Sequence, residues 1–130
     1  WSSDVSSDLR PQVINMRKIT EVAASAFDRD EVFKRNNTEV KVEGHRTRLL
    51  LHGNTVATRF RESGNVLFTL AGWGTPTTRE RVNGLLAVMG YPTRVIQNKG
   101  SHFLFHQGLS QPIGVADEWF INKDYEIEVL

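Results

Sequence analysis

The sequence predicts a small α+β domain in which an antiparallel sheet of about five to seven strands, a four-strand meander plus a hairpin, packs with two helices. Three observations predict this fold class. The 130 residues hold one hydrophobic core but not comfortably two. The spacing of apolar residues changes from helical to alternating at Thr38. Short glycine-containing turns then separate the alternating segments, which is typical of antiparallel strands.

Composition limits the class of protein. Apolar residues make up 39% and charged residues 24%, an ordinary balance for a globular domain. There is no cysteine, which excludes disulfides, thiol chemistry and cysteine-ligated zinc. No apolar run approaches the ~20 residues that a membrane-spanning helix requires, so we expect no membrane partner.

The ends of the chain differ from its centre. Residues 1–15 are rich in Ser and Asp and lack the features of a secretory signal, so we expect a leader or an expression remnant there. Residues 16–130 then form a single domain with an acidic C-terminal segment, residues 108–130. Residues 34–107 carry eleven basic against four acidic side chains, whereas residues 108–130 carry one against five. Such a basic middle either attracts an anionic partner or is neutralised within the fold.

Two helices have clear apolar stripes. The stripe of the first consists of residues three and four apart: Ile19, Val22, Ala23, Ala26 and Phe27. The second is predicted to begin with Thr77 as its N-cap, and Glu80 completes a capping box. Its stripe consists of Val82, Leu85, Leu86 and Met89. Gly90 suits the left-handed position after the helix, and Pro92 prevents its continuation.

Turn sequences predict the register of the meander. A two-residue turn at Gly44-His45 places Leu49 opposite Val40 on the preceding strand. Gly53-Asn54, as a two-residue loop, places Leu49 opposite Thr58 on the following strand.

The third turn gives a consistent result. Glu62-Ser63-Gly64 places Thr58 opposite Phe68, with Gly64 in the left-handed conformation. Together the turns predict one buried face: Val40, Val42, Leu49, Leu51, Val56, Phe60, Val66, Phe68 and Leu70.

A hairpin is predicted after the second helix. Its strands are residues 94–98 and 102–107, joined by a turn at Lys99-Gly100. The chain from Gly108 has the composition of a loop. It then offers Trp119-Phe120-Ile121 and the alternating Tyr125, Ile127 and Val129, which predict one late strand.

The predicted register concentrates arginines on the opposite face of the meander. Arg48 is predicted opposite Arg59 and Arg46 opposite Arg61, with Lys41 beside Arg48. Like charges paired across strands cost on the order of 0.2–1 kcal/mol per pair, so this block needs compensation. Neighbouring glutamates are one source. A phosphate backbone or an acidic protein surface is another, because the arginine fork binds both well. These five residues are the predicted site for an anionic partner.

The stretch Gly72–Arg81 is the part of the sequence where candidate binding residues are most concentrated. A glycine-bracketed loop that opens a helix leaves backbone N–H groups for an anion, and the candidate residues are Thr77, Thr78, Arg79 and Arg81. The stretch lacks the Gly-Lys-Ser/Thr of a P-loop, and a purely capping role explains most of the same residues.

The four histidines form no recognisable catalytic or metal-binding arrangement. His102 and His106 fall in a predicted strand, which holds them about 13 Å apart, too far to share a metal. His45 and His52 fall in turns, and no carboxylate lies in a motif that orients them. We therefore predict no metal, no cofactor and no catalytic residues.

Three stretches carry a resemblance to a known type of protein. They are Met16-Arg17-Lys18-Ile19-Thr20, Leu50-Leu51-His52-Gly53-Asn54 and Gly72-Trp73-Gly74-Thr75-Pro76-Thr77-Thr78-Arg79-Glu80-Arg81. With its Gly-Trp-x-Thr-x-Thr-Thr-x-x-Arg motif, the chain resembles small accessory proteins of tailed bacteriophages over about residues 16–107. The resemblance implies a phage protein that acts in the cytoplasm of a bacterial host, and it implies no catalytic residues.

The sequence favours a non-enzymatic binding protein whose basic sheet face engages nucleic acid or an acidic host protein. The predicted face has no aromatic ladder for stacking bases, so phosphate contact is the nucleic-acid mode that remains. A second hypothesis is a self-associating protein, a homo-oligomer in which residues 117–128 cover the basic face of the same chain or of a neighbour. A third is an enzyme that uses the Gly72–Arg81 loop with a histidine.

Overall fold

The structure, a computed structural model, describes residues 17–130, and the expected leader over residues 1–15 lies outside the described residues. Helix α1 comprises Lys18–Asp28 and helix α2 comprises Pro76–Val88. Strands β1 to β5 lie between the helices: Phe33–Arg35, Thr38–Glu43, Arg46–Leu51, Asn54–Phe60 and Asn65–Thr69. Strands β6 to β10 follow α2: Thr93–Asn98, Ser101–His106, Leu109–Ile113, Glu118–Ile121 and Ile127–Val129.

These strands form two antiparallel sheets. The main sheet has seven strands in the order β1-β2-β3-β4-β5-β9-β10, and a separate sheet has the order β6-β7-β8. The predicted α+β class with an antiparallel sheet is therefore confirmed. Two details differ from the prediction. The hairpin β6-β7 lies outside the main sheet, and the segment predicted as loop supplies β8. That strand contains Pro112, which is tolerated because β8 is an edge strand.

Both helices cover the same face of the main sheet. Their buried residues, among them Phe27 of α1 and Leu85 of α2, share one apolar cluster with alternate residues of the strands. The strands of the main sheet contribute Val40, Leu49, Leu51, Val56, Ala57, Val66, Phe68, Trp119 and Ile121. Trp119 stacks on Phe68, with ring centroids 5.8 Å apart. We call the opposite face, which carries Lys41, Arg48, Leu67 and Phe120, the open face.

The predicted register is wrong at β4. Strands β2 and β3 pair as predicted, but the next turn uses His52 and Gly53, with φ angles of 53° and 80°, one residue earlier than predicted. After a bulge, Leu49 lies opposite Ala57 rather than Thr58. Because side chains alternate along a strand, this shift of one residue moves the side chains of β4 beyond the bulge, residues 57–60, to the other face.

This shift removes one aromatic residue, Phe60, from the predicted core. Phe60 was predicted to be buried, but it lies on the open face opposite Arg46. Val42 is half-buried, and the other members of the predicted buried face are buried. The turn after β4 is displaced likewise, although Gly64 has the predicted left-handed conformation, with φ 79°.

Helix α2 begins two residues earlier than predicted. Its N-cap is Thr75, whose Oγ1 accepts the backbone N–H of Thr78 at 3.2 Å. Pro76 occupies the first turn, where a missing N–H leaves no hydrogen bond unmade. The predicted cap at Thr77 is therefore wrong. At the other end, Gly90 has the predicted left-handed conformation, with φ 78°.

Candidate binding site

The structure divides the predicted arginine block. Lys41, Arg46 and Arg48 lie on the open face. Arg59 projects from the helix-covered face, and Arg61 folds over the turn between β2 and β3. The predicted pairing of Arg48 with Arg59 and of Arg46 with Arg61 is therefore wrong, since Arg48 lies opposite a threonine and Arg46 opposite a phenylalanine.

Arg59 terminates helix α1. Its Nη2 donates to the carbonyl oxygens of Phe27 and Asp28, both at 2.7 Å, and to the Asp30 carboxylate at 3.2 Å. The guanidinium carbon also lies 5.3 Å from the centroid of the Phe27 ring. A cation in this position hydrogen-bonds carbonyl groups at the C-terminal end of the helix and complements the helix dipole. Arg59, with its side chain 15% exposed, therefore stabilises the fold.

Asp30 completes this cluster. Burial alone would raise the pKa of Asp30, but hydrogen bonds from Thr47, at 2.5 Å, and from Arg59 outweigh it and hold the pKa below its ordinary value. Arg61 donates to Thr47 Oγ1 at 2.8 Å and to the carbonyl oxygen of Glu43 at 2.7 Å. Two of the five predicted partner-binding residues are therefore bound by the protein itself.

Two of the three cations on the open face, Arg46 and Arg48, share one carboxylate. Glu43 accepts Arg48 Nη2 at 3.0 Å and Arg46 Nε at 2.8 Å, and these hydrogen bonds, that of Arg48 above all, hold the pKa of Glu43 below its ordinary value. Lys41 lies exposed directly opposite Arg48, and it forms no ion pair within residues 17–130. This group of four residues, which we call the cationic cluster, retains two positive charges.

At the start of α2, the basic residues of the predicted anion site turn inward. Arg81 is 2% exposed, and it donates to Thr38 Oγ1 at 3.0 Å and to Thr20 Oγ1 at 2.6 Å. It also pairs with Glu80, which in turn accepts the backbone N–H of Arg17 at 3.0 Å. Glu80 therefore caps the start of α1 instead of its own helix, and Arg81 joins the two helices to β2.

Arg79 is also bound locally. Its Nη1 donates to the carbonyl oxygen of Gly74 at 2.8 Å and lies 3.3 Å from His102 Nε2. The other two residues of the predicted anion site, Thr77 and Thr78, line a pocket instead. The four residues of the predicted anion site are therefore not brought together.

That pocket lies between the β3-β4 turn and the loop before α2, and its volume is about 520 Å³. Its floor is apolar, because Leu51, Val56 and Leu70 are buried residues of the core. Trp73 stands at its rim and is 58% exposed. The polar side chains that line it are His52, Asn54, Thr75, Thr77 and Thr78. We call it the turn pocket.

Two of the three stretches that carried the resemblance to phage proteins supply most of the lining of the turn pocket. They contribute residues within 51–54 and within 73–78, which lie far apart in the sequence. The pocket was not predicted from the sequence. There, His52 was interpreted as a solvated turn residue and the second stretch as a capping motif. The one feature of the sequence that could have indicated the pocket is Trp73, a large aromatic residue between two glycines of a loop.

The two histidines of the separate sheet have local partners. His102 and His106 lie in strand β7, as predicted. His106 Nδ1 lies 2.7 Å from Thr93 Oγ1. In the part of the chain that the structure describes, no three His, Asp or Glu side chains are grouped so as to hold a metal ion. No helix within residues 17–130 is long and apolar enough to cross a membrane.

The acidic C-terminal segment extends the main sheet. Strands β9 and β10 lie beyond β5, so β4 and β5 separate them from the arginines of β3. The hypothesis that residues 117–128 cover the basic face of the same chain is therefore wrong. Its other form, in which they cover the basic face of a neighbour, stays a hypothesis.

Comparison with known proteins identifies a family. The family model described as Kyanoviridae Gp96 protein matches residues 16–127. The match begins at Met16, and it includes most of the acidic segment, which the resemblance from the sequence left outside. No curated protein and no solved structure matches the chain.

Proposed function

The chain belongs to the Kyanoviridae Gp96 family of phage proteins, and on that premise we propose that it is a non-enzymatic accessory protein that binds a partner polypeptide through the turn pocket. The bound group is an aromatic side chain of the partner, which rests on the apolar floor and against the ring of Trp73. The protein acts inside the infected bacterial cell.

The observation that carries the proposal is an exposed tryptophan at the rim of an apolar pocket. Trp73 is 58% exposed, next to a floor of fully buried residues. The pocket volume of about 520 Å³ falls within the range of roughly 300–1,000 Å³ that is typical of ligand sites. Tryptophan is also among the residues that contribute most to binding energy in protein interfaces, where it fills or borders desolvated pockets.

The lining of the pocket favours an uncharged group. None of the described residues that line it is a lysine or an arginine, and Arg79 and Arg81 are bound elsewhere. A phosphate or a carboxylate would therefore find no arginine or lysine among them. The hydroxyl groups of Thr75 and Thr77 and the amide of Asn54 can hydrogen-bond the peptide backbone beside a bound side chain.

The acid and base groups whose pKa is clearly shifted lie outside the turn pocket. The carboxyl groups of Asp30 and Glu43 have a lowered pKa, and burial raises the pKa of the Tyr91 hydroxyl. None of these three residues lines the turn pocket.

Titration with N-acetyl-phenylalaninamide, followed by two-dimensional NMR, tests the proposal. A probe of about 15 heavy atoms at about 0.3 kcal/mol per atom gives about 4.5 kcal/mol, which corresponds to a Kd of about 0.5 mM. We expect saturable shifts of the Trp73 indole N–H and of the backbone N–H groups of Asn54 and Thr77.

Two variants and one further probe make the titration specific. Trp73→Ala should raise the Kd about three- to tenfold, because stacking on an aromatic ring contributes about 0.5–1.5 kcal/mol. Phe105→Ala, which removes another exposed aromatic residue, should leave the Kd unchanged. The α-amide of N-acetyl-aspartic acid, which keeps its side-chain carboxylate, should not bind. Equal shifts from the acidic probe, or a Kd that Trp73→Ala does not change, would refute the proposal.

A second candidate function is favoured by the cationic cluster. Glu43 neutralises only one of the charges of Lys41, Arg46 and Arg48, so this part of the open face can engage an anionic partner, nucleic acid or an acidic host protein. Binding of duplex DNA and of RNA, measured against salt, tests the nucleic-acid form. Arg48→Ala should lower the salt slope by about one, and Arg94→Ala on the separate sheet should not. Absence of binding at low salt would eliminate this form.

A further inference from the structure

The open face of the main sheet carries a regular row of paired side chains. The row crosses six strands in direct register, in the order Lys41, Arg48, Thr58, Leu67, Phe120 and Glu128. It runs from a cation, through an apolar centre, to a carboxylate. With five strand spacings of about 4.8 Å, the row is about 24 Å long.

The two ends of the row have opposite charge. The first end belongs to the cationic cluster. The other end borders a hollow of about 570 Å³ whose lining includes Phe120, Asn122, Glu126 and Glu128. Glu126 accepts a hydrogen bond from Asn122 Nδ2 at 2.9 Å, and neither Glu126 nor Glu128 forms an ion pair with another described residue. This hollow therefore suits a cationic side chain.

We propose that the open face is the interface of a twofold-symmetric dimer of this chain. A twofold axis that runs parallel to the strands, between β4 and β5, reverses the order of the row. It places Lys41 over Glu128 of the partner subunit, Arg48 over Phe120 of the partner subunit, and Thr58 over Leu67 of the partner subunit. Each contact then occurs twice, as an interface between identical surfaces requires.

The two outer kinds of pair in this contact are chemically matched. The outer pairs join a cation to a carboxylate, and the next pairs place a guanidinium on an aromatic ring, a favourable cation–π arrangement. Leu67 and Phe120, which are half-buried in the single chain, become covered at the centre. Two sheets that face each other with nearly aligned strands pack about 10 Å apart, which leaves room for these side chains.

The size of the row predicts a weak dimer. A face about 24 Å wide and about 17 Å along the strands projects to about 400 Å² per subunit, or about 800 Å² in total, which is below the size of stable interfaces and typical of weak ones. We therefore expect dimerisation in the micromolar to millimolar range. A second copy of this chain is favoured over a different partner, because the row matches an identical row that faces it in the opposite order.

Sedimentation velocity over a range of concentrations, with charge-reversal variants of the full chain, tests the proposal. The natural chain should shift from monomer to dimer as its concentration rises, and added salt should oppose this. Lys41→Glu and Glu128→Lys should each raise the dimer Kd about tenfold or more, because each places two pairs of like charges in contact. Lys99→Glu, in the turn of the separate sheet, should have no effect.

An equimolar mixture of Lys41→Glu and Glu128→Lys gives the sharpest result. In a mixed dimer both outer pairs are attractive again, so the mixture should dimerise about as well as the natural chain. A general loss of folding cannot produce such a recovery, and circular dichroism of each variant confirms that it is folded. A natural chain that stays monomeric at about 1 mM overturns the proposal, as does a mixture that stays as monomeric as its components.

Discussion

Replacement of Arg59 by methionine separates the observed register from the predicted one. Methionine keeps much of the side-chain volume but removes the hydrogen bonds to the carbonyl oxygens of Phe27 and Asp28 and to the Asp30 carboxylate. A hydrogen bond to a charged group contributes about 1.5–3 kcal/mol, and the bonds of one cluster are not additive. Because the side chain is 15% exposed, we expect the free energy of unfolding to fall by about 2–4 kcal/mol.

Urea unfolding at pH 7, followed by circular dichroism, measures this loss. The matched control is Arg48→Met, on the open face of the neighbouring strand, whose partners are Glu43 and Thr55. The two changes would cost the same if Arg48 and Arg59 were paired on one solvated face. We expect Arg59→Met to be clearly the more destabilising. Equal midpoints, or a loss below about 1 kcal/mol for Arg59→Met, would refute the structural role of Arg59.

Three further stability predictions rest on single contacts. Arg81→Met removes the side chain that joins both helices to β2, and it should lower the free energy of unfolding by about 2–4 kcal/mol in urea melts. Gly74→Ala places a Cβ 2.6 Å from His102 Cε1 and should cost about 1–3 kcal/mol in the same assay, whereas unchanged stability would contradict the packing. The lowered pKa of Asp30 means that its carboxylate stabilises the fold fully above about pH 5, and the stabilisation disappears as pH falls through the folded-state pKa. Asp30→Asn should therefore lose stability at pH 7 and show a shallower decline from pH 5 to pH 2 in acid titrations, and an unaltered decline would contradict it.

Local signals were sufficient to predict most of the fold. The turn at Gly44-His45 gave the pairing of β2 with β3, and Lys99-Gly100 gave the hairpin β6-β7. The faces of β4 were not predictable by the same rule. His52 adopts a left-handed conformation that non-glycine residues rarely adopt, and a bulge adds a residue to β4. A single residue of register then decides whether Arg59 belongs to a binding surface or to a helix end.

The candidate site was harder to predict than the fold. The turn pocket is made by two segments that meet only in the folded chain, so neither spacing nor composition reveals it. Thr75, rather than Thr77, caps α2 because Pro76 fits the first helical position, and this displaces the start of the helix toward the pocket. The uneven distribution of charge along the chain was evident in the sequence. That it produces a sheet whose two ends differ in charge could be seen only from the strand order.

The most direct test of the account is the position of a bound aromatic probe on the protein. Intermolecular nuclear Overhauser effects between the ring of N-acetyl-phenylalaninamide and the isotope-labelled protein would locate it. The account predicts contacts from the probe ring to the Trp73 indole and to the methyl groups of Leu51, Val56 and Leu70. Contacts confined to another surface, such as Ile96 and Phe105 of the separate sheet, would contradict it.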